Sequence, residues 1–166
     1  MFRKVEDFIK NWDYEVEATN KIFDALTNGS LATKVSEDGR TLGFLAWHLI
    51  HTLGEMLGLV GLTIDAPAFQ DECPTRAADI TAAFEKAARS VSTEVSANWN
   101  DETLLLTDEM YGETWSRGLT LFYLTLHQAH HRGQMTVLMR QAGLAVPGVY
   151  GPAKEEWAAF GAPAMP

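Results

Sequence analysis

Apolar positions recur with helical spacing in four separate stretches of the chain. The first runs from about Phe2 to Thr27 and sets Val5, Phe8, Ile9, Trp12, Val16, Thr19, Phe23 and Leu26 on one stripe, the pattern of a helix with one buried face. Asn28-Gly29 is the expected stop, as a C-terminal cap would be. After a turn at Ser36-Glu37-Asp38-Gly39, a second stretch begins near Thr41. Its inward stripe carries Leu42, Leu45, His48, Leu49, Thr52, Met56 and Leu59. Gly54, Gly58 and Gly61 weaken its far end and put the stop between Val60 and Thr63. These glycines resemble a packing stripe of small residues, because no strand precedes them to make a phosphate cradle. Pro67 and Pro74 mark residues 65–74 as a loop. Thr75 is the expected cap of a third helix, with Ala77, Ile80, Phe84, Ala87, Val91 and Val95 inward and an end at Asn98-Trp99-Asn100-Asp101. Residues 101–116 read as irregular, with Leu104-Leu105-Leu106 an extended connector across the bundle. The fourth helix starts between Thr114 and Arg117 and ends at Gly143. It turns Leu121, Leu124, His127 or Gln128, His131, Met135 and Leu138 inward. Val146 to Pro152 then form a turn-rich strap, followed by one short helix from Ala153 to Phe160.

Four helices of about 20 residues or more, without a strand run, predict an all-α bundle in a single domain over residues 1–166. The long second-to-third and third-to-fourth connections are each able to cross the bundle, so the pattern leaves helix order open. An apolar share of 46% supplies a sizeable core. The net charge of -9, with no basic run, argues against nucleic acid as a partner. No stretch reaches the roughly 18 apolar residues of a membrane span. Met1 to Asp7 turns acidic without an apolar signal core, and Cys73 is the single cysteine. A cytoplasmic protein without an internal disulfide is therefore expected.

The candidate chemistry lies in His127-Gln128-Ala129-His130-His131-Arg132-Gly133-Gln134, which holds three of the five histidines. His127 and His131 are four apart, so a helix projects them from one face, one turn above the other. Two imidazoles so spaced are able to clasp one metal ion. His48, on the inward stripe of the second helix, is the best candidate for a third ligand; His51, one turn further on, competes with it. Three neutral rings facing one interior satisfy each other poorly, since each brings one donor and one acceptor. A divalent ion relieves that by taking one nitrogen from each, and three protein ligands with an open fourth position is the arrangement of catalytic zinc. Imidazole also suits nickel, copper and iron. A single inward histidine would more often be a satisfied core residue; it is the i, i+4 pair together with His48 that favours a metal.

Other patterns carry less. No HExxH occurs, and the carboxylates of a di-iron bundle are missing, Glu55 being the one acidic residue expected on an inward face near the histidines. Glu55 and His51 are the candidate base or orienting groups. Gln134 is expected at a pocket mouth, Arg132 in a structural or interfacial role, and His130 on the surface. Cys73 reads as a plain loop thiol and Trp47 as a pocket wall. Tyr14 offers an exposed aromatic edge on the first helix.

Thr41-Leu42-Gly43-Phe44-Leu45-Ala46-Trp47-His48, the HQAHHRGQ element from His127 and the strap Val146-Pro147-Gly148-Val149-Tyr150-Gly151-Pro152 together resemble the DinB/YfiT-like superfamily, which is unrelated to the DNA polymerase sharing the DinB name. The likeness spans most of the chain, and HxxHHRGQ is its most specific part. The resemblance implies a four-helix bundle in up-down-down-up order, often a homodimer, with a divalent metal held by three histidines. Position by position these are His48, His127 and His131. It implies zinc first and nickel as the alternative ion. Its characterised branches imply a metal-dependent S-transferase using a low-molecular-weight thiol, or a hydrolase, acting on a small molecule. The alternative it leaves is a non-catalytic, stress- or damage-inducible protein with a structural or vestigial metal site.

Overall fold

The computed structural model of the protein describes residues 1–163; residues 164–166, the end of the domain expected over 1–166, lie outside the described residues. Four helices, α1 (Val5–Asp24), α2 (Leu42–Gly58), α3 (Ala77–Asn98) and α4 (Arg117–Gln141), form the expected all-α bundle. α1 packs on α3 and α4, and α2 packs on the same two, so α1 and α2 are diagonal. Side-chain pairs fix the directions. The Phe23 ring lies 5.2 Å from that of Phe84, and the Val5 N–H donates to Asp101 Oδ1 at 2.9 Å, so α1 and α3 are antiparallel. The Phe2 N–H meets the Gly118 carbonyl at 3.1 Å and Glu15 meets Arg132 further along, so α1 and α4 are parallel. Gln128 Nε2 donates to the Leu49 carbonyl at 3.0 Å, while His48 faces His131, so α2 opposes α4. The order is up-down-down-up.

Phe8, Trp12, Leu49, Phe84 and Leu124, drawn from the predicted inward stripes, are buried along the axis, and so are Ile22 and Leu53, which those stripes left out. Burying such side chains contributes roughly 1.5–3 kcal/mol each. Leu59 departs from its stripe at 49% exposed, because α2 has already ended at Gly58. The glycine stripe holds at Gly54 alone, where an added Cβ would meet Ala66 at 3.2 Å. Gly58 faces open space, and Gly61 adopts φ +85, which makes it a turn residue.

Three connections differ from expectation. α1 stops at Asp24, and Asn28 opens a 3-10 turn (Asn28–Ala32) capped by the Thr27 hydroxyl. The Asn28 Oδ1 accepts the Ala77 N–H at 2.9 Å. A residue distant in sequence therefore satisfies the first turn of α3, the task expected of Thr75. The connector before α4 is a hairpin, β1 (Thr107–Met110) against β2 (Glu113–Ser116), with Met110 opposite Glu113 and Thr107 opposite Ser116. Its two-residue turn has Tyr111 at φ 53 and Gly112 at φ 86, the positive-φ pair that right-twisted hairpins favour. Within Leu104-Leu105-Leu106 only Leu104 is buried. The tail beyond Pro152 forms one 3-10 turn (Trp157–Phe160) in place of a short α-helix. Tyr14 is exposed on α1 as expected; its hydroxyl donates to the Val149 carbonyl at 2.6 Å and its ring stacks on Tyr150.

Candidate metal centre

α2 and α4 cross so that His48 meets His127 and His131. Ring centroids lie 5.1 Å apart for His48 and His127, 4.7 Å for His48 and His131, and 4.4 Å for His127 and His131. One nitrogen from each ring lies within 4.8 Å of the other two, an arrangement able to hold a metal ion. His127 and Gln128, left as alternatives by periodicity, divide the work. Gln128 is fully buried in the seam against α2, and His127 turns into the cleft.

Outer contacts fix where the lone pairs point. His131 Nδ1 lies 2.7 Å from Gln134 Oε1. An amide oxygen only accepts, so Nδ1 carries the proton and Nε2 presents its lone pair. The Thr52 hydroxyl donates to the Leu49 carbonyl at 3.1 Å, which leaves it to accept from His127 Nδ1 at 3.5 Å. His127 Nε2 is then unprotonated as well. The two Nε2 atoms are 3.1 Å apart. As bare lone pairs they repel. Around a tetrahedral ion with bonds of about 2.0–2.1 Å, two nitrogens sit about 3.3 Å apart. The donor set therefore fits a divalent cation. Gln134, expected at a pocket mouth, orients a ring, and its amide Nε2 contacts His130 at 3.1 Å. Neither Thr52 nor Gln134 was assigned this role from spacing: Gln134 lies one turn from His131 on α4, whereas Thr52 reaches His127 from α2, 75 residues away in sequence.

The rings are poor bases. Burial, reinforced by the neighbouring His131 and Arg40, pushes His48 down to about 4. Burial, with His131 and His48 beside it, does the same to His127. His131 also falls below its ordinary value through burial, opposed by the Gln134 hydrogen bond. At neutral pH all three are free to ligate. In metal-free protein the unfolded chain takes up protons below pH 6.5 that folded His48 and His127 refuse until about pH 4. Their contribution to stability is thus intact above that window and is lost as pH falls through it. Thermal melts of metal-free protein should show Tm declining across these values, and His48→Gln with His127→Gln should flatten the decline. An equal slope in the variant would contradict the assignment.

Two cavities border His48. One, of about 590 Å³, is walled by Phe44, Trp47, His51, Phe69 and Cys73 among others. The other, of about 500 Å³, is shared by His48 and His127 with Thr52, Glu55, Tyr111 and Trp115. Glu55 continues the His48 stripe, but the bundle has opened there. It is exposed at the cavity rim instead of facing inward as expected, and its Oε1 accepts from the Tyr111 hydroxyl at 3.2 Å. Burial and the Glu55 charge push that phenol up to about 12. Tyr111 was missed; the Tyr-Gly pair at a two-residue turn is the signal that points to it. His51 packs edge-on to Trp47 and lies 5.9 Å from Phe69, centroid to centroid. Its Nε2 is buried without a hydrogen-bond partner, a cost of about 1–3 kcal/mol. Trp47 walls a cavity as expected, its indole N–H donating to the Asp71 carbonyl at 3.0 Å. Burial raises the Cys73 thiol, keeping it protonated.

Arg132 takes the structural role. Buried beside Glu15, it donates to the Glu15 carboxylate, the Tyr150 hydroxyl and Thr19 Oγ1, while Tyr150 donates to Glu15 Oε2 at 2.8 Å. No helix among the described residues is long and apolar enough to cross a membrane.

The chain is similar to known proteins in sequence and in fold. The family model described as DinB family matches residues 1–165. "Uncharacterized protein YrdA" of Bacillus subtilis (strain 168) is 43% identical over 161 residues, covering 97% of this chain and 96% of that protein. The crystal structure of a DinB-like protein from Bacillus cereus ATCC 10987 superposes with a TM-score of 0.87 at 37% identity, over 90% of this chain and 100% of that one. A second DinB-like protein, YjoA of Bacillus subtilis, shares the fold at a TM-score of 0.66 and 15% identity, over 82% and 92% of the two chains. The chain belongs to the DinB family.

Proposed function

We propose that the protein is a metal-dependent enzyme in which His48, His127 and His131 hold a divalent ion, zinc first, and that it transfers a small thiol to a second small molecule. The observation that carries this reading is an incomplete ligand shell opening on cavities. Among the described residues no fourth His, Cys, Asp or Glu joins the three histidines, whereas structural zinc sites are closed by four protein ligands. That contrast is what disfavours a purely structural metal.

A divalent ion at this position supplies Lewis acidity that lowers the pKa of a neighbouring thiol or water. The protein's own residues do the remainder. Gln134 and Thr52 hold two rings in the tautomers that present Nε2, so the site is organised before anything binds. Glu55, steadied by Tyr111, stands in the cavity that His48 and His127 line and receives the proton of the incoming thiol. Apolar side chains, among them Phe44 and Phe69 on one side and Trp115 and Leu126 on the other, wall much of the two cavities.

Cobalt-substituted protein provides the test. Addition of small thiols such as cysteine or N-acetylcysteine should perturb the visible spectrum and introduce a near-ultraviolet sulphur-to-cobalt band. A spectrum unchanged by every thiol tried would overturn the transferase reading in favour of hydrolysis or a non-catalytic role.

A further inference from the structure

The cavity of about 500 Å³ beside His48 and His127 has a wall whose chemistry a metal alone does not explain. Tyr111, Trp115 and Tyr123 line it together. The Tyr111 and Trp115 ring centroids lie 5.8 Å apart with 60° between planes. Those of Trp115 and Tyr123 lie 4.6 Å apart at 31°, so the rings form one continuous, bent wall. Met56 and Leu126 add aliphatic surface, and Glu55 stands among them. Tyr111 donates to Glu55 Oε1, which leaves Oε2 open to a ligand. Glu113 brings a second carboxylate to the wall, accepting the Trp115 indole N–H at 2.8 Å. Among the described residues lining the cavity none is lysine or arginine. Arg117, close by in sequence, is paired with Asp108 at 2.9 Å, and Arg40 lines a different cavity with Gln134. His130 Nε2 accepts from the Gln134 amide at 3.1 Å, and an accepting ring nitrogen carries no proton. Aromatic faces and a carboxylate, with no basic group among them, are what recognise an organic cation.

Resting on the reading of the three-histidine centre as the place of reaction, we propose that this cavity binds a quaternary ammonium group carried by the substrate, against Tyr111, Trp115 and Tyr123 and within the field of Glu55. The degree of methylation follows from the wall. A primary ammonium has three N–H donors to satisfy, and beyond Glu55 it would meet mostly rings and aliphatic chains. A quaternary ammonium has none, and its methyl groups present the charge directly to the rings. It takes no hydrogen bond from Glu55, so Oε2 stays available for the thiol proton. The carboxylates of Glu55 and Glu113 also match the two charges of a divalent ion held by neutral imidazoles. The centre as a whole therefore does not repel a cation as a bare ion would.

Binding is measured by nuclear magnetic resonance on the full zinc-loaded chain, with choline as the probe. Its uncharged counterpart is dimethylbutanol, in which carbon replaces the charged nitrogen. Choline should shift saturably the one of five indole N–H signals that is missing from Trp115→Phe, and leave in place the signal missing from Trp47→Phe. Choline should bind roughly tenfold more tightly than the alcohol, the worth of a cation–ring contact out of water. Glu55→Gln should weaken choline roughly fivefold and leave the alcohol unchanged. Tyr111→Phe keeps the ring and should retain choline, whereas Tyr111→Ala should weaken it; circular dichroism and zinc content show that each variant is folded and loaded. Equal affinity for choline and the alcohol overturns the proposal, since the cavity then takes any apolar group of that shape. A saturable shift confined to another indole overturns it too, as does choline binding to metal-free protein that zinc abolishes. Thiol transfer is judged separately, by the cobalt spectrum. Equal affinities beside a cobalt band that responds to thiols count against the ammonium site alone. Choline bound as expected beside an unresponsive cobalt spectrum supports the site while counting against thiol transfer.

Discussion

His131→Ala is expected to abolish stoichiometric metal binding while leaving helical content intact. The residue is buried, and its Nε2 faces that of His127 at 3.1 Å, so no other side chain among the described residues is positioned to replace it. Elemental analysis after dialysis should fall from one ion per chain to a trace. Gln134→Ala sets the scale: losing an outer partner that fixes a ring costs roughly 10–100-fold in affinity, and losing the ligand itself must exceed that. Far-ultraviolet circular dichroism should be unchanged, because α4 is held by Leu121, Leu124, Met135 and Leu138, all buried. Removal of the ring also relieves the clash of lone pairs in metal-free protein. The metal-free variant should therefore be no less stable than metal-free wild type, whereas added zinc should raise Tm only in wild type. Full metal content in the variant would show that the ligand set is wrong.

How far the sequence anticipated this follows from the range of the forces involved. The four helices and the facing of His48, His127 and His131 come from local periodicity, which a single helix expresses in its own residues. The contacts that sequence spacing missed are those made between elements. Asn28 caps α3 from 49 residues away, and nothing near Thr75 announces that. Tyr111 reaches Glu55 across 56 residues, after a hairpin whose strands hold Asp108, Glu109 and Glu113 in place of β-formers; pairing and the turn override propensity there. Glu15 sits on α1 in what reads as a polar interval, so its burial shows only once Arg132 and Tyr150 are beside it. The aromatic cavity is of the same kind. His51 was assigned to base or orienting duty from its spacing to His48 and Glu55, but the loop that brings Phe69 to it has no periodicity to read.

Arg132→Met should destabilise the protein by roughly 3–5 kcal/mol, the cost of leaving a buried charge without its partner. Arg132 is 2% and Glu15 3% exposed, and the guanidinium is the cation that meets this carboxylate. For a chain of this length the loss corresponds to a fall in Tm of roughly 6–20 °C. Urea unfolding is the cleaner measure, with the midpoint falling at constant slope. The cause is separable from lost packing, since Met preserves much of the side chain's apolar length. Adding Glu15→Met removes the stranded charge, and replacement of both members of a buried pair by apolar residues is often neutral. The double variant should therefore be markedly more stable than Arg132→Met alone, which simple loss of contacts would not produce. Tyr150→Phe, which removes one hydroxyl from the network, should cost only about 1 kcal/mol. Because Arg132 follows His131 directly on α4, the same anchor that ties the strap to α1 also fixes the height of the metal-facing ring. The single variant should accordingly weaken zinc binding below its melting transition, and the double variant should recover it as stability returns. A loss under about 1 kcal/mol in Arg132→Met would show that the carboxylate finds water or another cation when its partner is removed.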